Sequence, residues 1–197
     1  MRHELLRFKQ HDEGLCGLYT IANALALILP DLVSETAASV LVGRMASDLP
    51  TDINTVIREG TDRAQMEVML PSAQAWTAEQ GWPAWTWRGL HPERGDKAQA
   101  FWDRLAAEMD GRRDAALVVG FGDDDAPNTR YEPHWTCVRV IGPTMLTLRD
   151  STEYGRVRRA ETGIRPEHGW EIEDCFLLER AEALPRRKRR FRMTPLV

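Results

Sequence analysis

The sequence predicts an α+β fold in which helices come first and antiparallel strands follow. Three observations carry this. Through about residue 80, apolar residues recur at helical spacing between polar caps; from Pro83 onward the dominant period shortens to alternation; and Gly142-Pro143 separates two alternating runs, the pattern of a hairpin. Helices in one block and antiparallel strands in another give two segregated layers with a cleft between them.

Each element has its local reason. Glu4-Leu5-Leu6-Arg7-Phe8-Lys9 reads as a short edge strand or an extended lead-in. Leu18, Ile21, Ala22, Leu25, Ile28 and Leu29 fall at i, i+3, i+4, i+7 spacing, predicting a helix over 16–29 with one apolar stripe toward a core, ended by Pro30. Ser34 is a candidate N-cap for a helix over 34–48, Pro50-Thr51-Asp52 opens another to about 59, and Gly60-Thr61-Asp62 caps a third. Pro71 is expected to interrupt that third helix before it resumes over 72–80 and stops at Gly81. Residues 84–87 alternate as a strand. Residues 95–109 return to helical spacing, with Ala98, Phe101, Trp102, Leu105 and Ala106 on one face. The apolar run 115–121 reads as a buried strand, and a polar loop over 122–133 leads to a strand over 134–141 and its antiparallel partner over 144–149. Further strands are expected near 156–159 and 174–178. With no internal repeat and no low-complexity linker, residues 1–184 are read as one domain and 185–197 as a tail.

Composition narrows the function classes. At 197 residues the chain is long enough to bury roughly 70% of its unfolded surface. No apolar run is long enough to span a bilayer, and Arg7 and Lys9 interrupt the first apolar run, so no signal-peptide pattern is read. Three scattered cysteines argue against a disulfide framework and for a reducing compartment, giving an expectation of a cytoplasmic protein, with export lacking a cleaved signal left open. The net charge of −4 hides an asymmetry: six basic and no acidic residues lie in 185–197, leaving a body with 20 basic against 30 acidic residues. Such a body is a poor general binder of nucleic acid. The tail, Arg186-Arg187-Lys188-Arg189-Arg190-Phe191-Arg192, offers charge to an acidic partner, anionic lipid or nucleic acid, or to the chain's own Asp123-Asp124-Asp125; a solvated terminus is the plain alternative.

The chemistry-bearing residues begin at the head of the first helix. Cys16 lies in its first turn, beside unpaired backbone N–H groups, and helix N-termini favour the attacking thiolate form of cysteine. Gly14 and Gly17 flank it and are expected to leave room for substrate. Taken alone, Cys16 reads more readily as a small buried apolar residue. Gln10, six residues earlier, changes that balance, since its amide and the Cys16 N–H could together bind an oxyanion. Of five histidines, His3, His11, His91 and His168 sit in polar or Pro/Gly-flanked segments and read as solvated. His134 opens a strand, and sixteen residues on Asp150 closes the returning one, which makes them cross-strand neighbours. A carboxylate there can hold one ring nitrogen protonated and leave the other to act on a thiol. Register decides the matter: a two-residue loop at Gly142-Pro143 turns His134 and Asp150 to opposite faces, while a three-residue loop or a bulge brings them to one face.

In order and spacing, Gln10, Cys16, His134 and Asp150 resemble the papain-like cysteine peptidases. The Cys-Gly after a polar loop, and an Asp rather than an Asn behind the histidine, are more similar to the bacterial branch that includes the leader-processing peptidases of bacteriocin exporters. The resemblance covers the motif positions and the helix-then-sheet order. It implies a papain-like fold, with a helical layer packed on an antiparallel sheet and the active site in the cleft. It implies Cys16 as nucleophile, His134 as base and later acid, Asp150 as orienter and Gln10 as oxyanion donor; the substrate class does not come with the fold, and a peptide or isopeptide bond of a protein or peptide substrate is the first expectation. Trp135, and Asp124 in the acidic loop, are the substrate-facing candidates beside Gly14 and Gly17. A glutamine deamidase or acyltransferase uses the same machinery, and a non-enzymatic binding module on a degenerate fold is a third reading. No cofactor is implied: Gly120-Phe121-Gly122 is too short for a phosphate loop, and His134 and Cys137 face opposite ways on a strand, against a metal site. Cys137, Cys175 and the cluster Trp76, Trp82, Trp85 and Trp87 read as core. Asn23 reads as an inner-face residue bonded to backbone.

Overall fold

The computed structural model describes residues 14–30, 34–93, 96–122, 134–151, 155–163 and 170–181. The expected lead-in strand, Gln10, Asp124 and the basic tail lie outside these, as do His3, His11 and His168. Helices α1 (Cys16–Ile28), α2 (Glu35–Asp48), α3 (Ile53–Glu59) and α4 (Arg63–Glu79) precede strand β1 (Trp85–Gly89). After α5 (Ala98–Met109) come β2 (Ala115–Gly122), β3 (His134–Ile141), β4 (Met145–Arg149), β5 (Arg156–Arg158), a 3-10 turn (Arg159–Glu161), β6 (Thr162–Gly163) and β7 (Trp170–Arg180). The protein is therefore α+β, as its pattern predicts. Six strands form an antiparallel path in the order β1-β7-β2-β3-β4-β5, and the two-residue β6 pairs parallel to β7.

The caps work as the sequence suggests. The Ser34 hydroxyl accepts from the Ala37 N–H at 3.1 Å, and Asp62 and Gln65 form a reciprocal capping box at the start of α4. Pro71 does not break α4, contrary to expectation. It sits on the exposed side of the helix, where water can satisfy the carbonyl that loses its partner, while Met66, Met69 and Leu70 before it and Ala73 and Trp76 after it are buried.

The expected two-layer arrangement also needs correction. One core lies between the sheet and α1, α2 and α4, and takes in Trp85, Ala116, Val118, Trp135, Cys137, Phe176 and Leu178. A second covers the opposite face, where Phe101, Trp102 and Leu105 of α5 meet Leu117, Val119, Val138, Leu148 and Leu177. The reason is in β2, whose eight residues are all buried: a strand apolar on both faces needs a cover on both. The tryptophans pack as core, with Trp76 and Trp82 edge to face at 5.2 Å and the Trp85 indole donating to Thr77. α1 differs from a surface helix with a single stripe. Eleven of its thirteen residues are buried, so it runs through the molecule as a central rod.

Candidate active site

Cys16 is the first residue of α1, with no side-chain cap at Leu15 before it, so the first-turn N–H groups are available to a ligand at the sulfur. The sulfur-bearing residue is 6% exposed. The sequence suggests that the flanking glycines leave room for substrate; instead, other parts of the chain lie against both, backbone at Gly14 and a side chain at Gly17. The Gly14 N–H donates to the Ile57 carbonyl at 3.1 Å, near the C-terminal end of α3. A Cβ on residue 14 would lie 2.5 Å from that oxygen and 2.8 Å from the Val56 oxygen. One on residue 17 would meet the Thr61 side chain at 2.7–2.9 Å. Both glycines therefore serve close approach, which brings the α3–α4 connection against the head of α1.

The hairpin resolves the question of register through a bulge. Gly142 N–H donates to the Met145 carbonyl at 2.8 Å, making a two-residue turn at Pro143-Thr144. Ile141 then pairs with Leu146 and Val140 with Thr147. Continued unchanged, that register would set Asp150 opposite Cys137, on the face away from His134. Between Val138 and Val140 the register shifts, so that Val138 pairs with Leu148 and Cys137 with Arg149, leaving Arg139 as the extra residue on β3. Extended one step, the shifted ladder puts Asp150 opposite Thr136, with His134 two residues along on the same face. The two are diagonal neighbours rather than a direct cross-strand pair.

From those positions His134 Nε2 lies 2.7 Å from Asp150 Oδ2. Asp150 has no exposed surface, and His134 is 8% exposed. The imidazole also hydrogen-bonds with the Cys16 side chain, for which Nδ1 is the remaining ring nitrogen. Burial is the largest single influence on His134 and acts to lower its pKa. The hydrogen bonds with Asp150 and Cys16, and then their negative charges, together overcome it and raise His134 from 6.5 to about 9. The ring is thus held between a carboxylate and a sulfur, and its contacts with both favour the charged form. The other two cysteines have no such setting: burial raises Cys137 to about 12 and raises Cys175 as well.

Trp135, expected to face substrate, is 5% exposed and braces the site instead. Its ring lies across Gly120 and stacks on Phe176 at 6.0 Å, and its indole N–H donates to the Thr61 carbonyl at 2.6 Å. Three residues tied to this region were not singled out for it from sequence. Thr20 Oγ1 donates to the Trp135 carbonyl at 2.8 Å, and Arg149 Nε donates to Asn23 Oδ1 at 3.4 Å. Asn23 is on an inner face as expected, with a side-chain partner there. The available signal was polarity out of place: a hydroxyl and an amide in an apolar helix, and a cation ending an apolar strand.

His91 is half-buried rather than solvated. Its Nδ1 lies 3.0 Å from Asp174 Oδ1, and Arg63 is 3.5 Å from the same oxygen. Burial lowers His91 and raises Asp174, so each is pushed toward its neutral form. It has no thiol to act on, since the adjacent Cys175 belongs to the core on the opposite face of β7. Among the described residues, no group of three or more His, Cys, Asp and Glu side chains is placed to hold a metal ion, and no helix is long and apolar enough to cross a membrane. No protein-family model matches the chain, and no curated protein matches it.

Proposed function

We propose that this protein is a papain-like cysteine hydrolase that cleaves a peptide or isopeptide bond through an acyl-enzyme on Cys16. The observation that carries the proposal is the single imidazole shared between a buried carboxylate and a thiol at a helix head: His134 with Asp150 at 2.7 Å on one side and Cys16 on the other. Asp150 fixes Nε2 as a protonated nitrogen and so aims Nδ1 at the sulfur. Cys16 Sγ adds to the substrate carbonyl carbon, and the oxyanion that forms is met by the Cys16 backbone N–H at the start of α1, with Gln10 as the second donor. Imidazolium His134 gives its proton to the departing amine as the C–N bond breaks, leaving a thioester. Neutral His134 then takes a proton from water, whose oxygen attacks the thioester and frees the acid and Cys16. Three unpaired cysteines fit work in a reducing compartment.

Iodoacetamide, followed by peptide mapping, tests the machinery without a known substrate. Cys16 is expected to label well ahead of Cys137 and Cys175, and His134→Ala to slow its labelling. Intact mass after incubation with a peptide mixture should then reveal an acyl adduct absent from Cys16→Ala. Equal labelling of all three cysteines in the folded protein, or labelling of Cys16 indifferent to His134, would refute the proposal.

A further inference from the structure

Three polar side chains interrupt the buried surface of α1, and they fall on one side of it. Cys16, Thr20 and Asn23 are spaced by four and three residues, which stacks them along a single helix face. All are buried, Thr20 and Asn23 completely. Each bonds to the sheet beside the site. Cys16 meets His134; Thr20 bonds the carbonyl of Trp135, the residue after His134; Asn23 bonds the side chain of Arg149, the residue before Asp150. The helix that carries the nucleophile is thus tied at successive turns to the backbone neighbour of the base and to that of the orienter.

The rest of α1 cannot supply this alignment. Its other contacts are chiefly Ala, Leu and Ile, and apolar burial is non-directional. A slip by one residue moves a helix about 1.5 Å and turns it about 100°. Against an apolar seat, much of the resulting loss can be recovered by repacking. Hydrogen bonds are directional, and a buried one left unmade carries the full cost of desolvation. Arg149 is a buried guanidinium, a group costly to take out of water, which makes its placement more demanding still.

We propose that Thr20 and the Asn23–Arg149 pair are positioning residues, a polar stripe that sets the height and rotation of Cys16 against His134 and Asp150. This rests on the thiol-hydrolase reading above, and its test separates the two. The variants are Thr20→Val, which keeps shape and removes the hydroxyl, Thr20→Ser, which restores it, and Asn23→Leu. The readouts are the rate of Cys16 alkylation by iodoacetamide and the titration of His134 by NMR, both on folded protein well away from its unfolding transition.

Thr20→Val is expected to slow alkylation about tenfold, the scale of a misplacement under 1 Å, and to move the His134 titration downward as its contact with the sulfur loosens. Thr20→Ser should recover both, and adding Asn23→Leu to Thr20→Val should deepen both losses. A purely structural role would lower stability and leave these readouts unchanged. Folded Thr20→Val with wild-type alkylation and an unmoved His134 overturns the inference, even where Asn23→Leu fails to fold. A Cys16→Ala variant in which His134 titrates as in wild type overturns the thiol–base reading itself, and the stripe with it.

Discussion

Replacing Asp150 by Asn removes a charge and keeps a hydrogen-bond acceptor of the same shape, so it isolates what the carboxylate charge does to His134. In the wild-type protein the imidazole holds its proton to about pH 9 against an ordinary value of 6.5, a stabilisation of the cation by about 3 kcal/mol. Burial opposes that cation, so the favourable contacts sum to more than the net effect. The hydrogen bond with Asp150 is stronger than that with Cys16, and the Asp150 charge acts more strongly than the Cys16 charge. The hydrogen bond with Asp150 is the largest of these upward influences. Asp150→Asn is expected to lower the His134 titration by about one to two pH units, the range for loss of one close opposite charge. Asp150→Ala, which also loses the hydrogen bond, should lower it further, and further than Cys16→Ala does. The assay is a pH series of ¹H–¹⁵N spectra on protein labelled at its histidines, with the His134 signal assigned by its absence from His134→Gln. Titration at one common pH in wild type and Asp150→Asn would refute the reasoning, as would a larger fall in Cys16→Ala than in Asp150→Ala.

Three further outcomes are expected. Turnover should decline as pH rises through about 9, because the raised pKa keeps the proton needed by the leaving amine on His134 below that pH and releases it above; the alkaline limb should move to lower pH in Asp150→Asn, read from the pH dependence of kcat/KM once a substrate is found. Gly14→Ala forces a methyl group against the carbonyls of Ile57 and Val56, which are backbone and cannot swing aside, so it should cost about 1–3 kcal/mol by urea denaturation; an unchanged midpoint would show that the approach of α3 to the head of α1 is not tight. Deleting Arg139 removes the bulged residue, which is exposed and contributes little packing itself. Val140–Thr147 would then be followed directly by Val138–Leu148 as a regular ladder, with Asp150 still opposite Thr136 on the face of His134, so Cys16 alkylation should stay near the wild-type rate; a folded deletion variant that falls to the level of Asp150→Ala would contradict the assigned pairing.

The sequence by itself determined the order and type of the main elements, because those follow from short-range chemistry: apolar spacing in α1 and α5, the oxygen caps Ser34, Asp52 and Asp62, and alternation on either side of Gly142-Pro143. It also nominated Cys16, His134 and Asp150, since a helix head and the open ends of one hairpin can be located without knowing the fold. Tertiary structure decided the rest. Whether His134 and Asp150 share a face turned on one extra residue at Arg139, and a bulge depends on what packs against both strands rather than on the strand's own composition. The glycines beside Cys16 look the same in sequence whether they admit a substrate or a neighbouring helix; only the approach of Ile57 and Thr61 distinguishes the two. The second core was legible in principle in the unbroken apolar run of β2, yet nothing local says that α5 is the element that covers it. His91 became half-buried, and Thr20 and Asn23 acquired partners, through contacts 84, 115 and 126 residues apart in the chain. Polar groups so distant in sequence meet only when burial leaves them no water to bond, and that condition belongs to the folded protein as a whole.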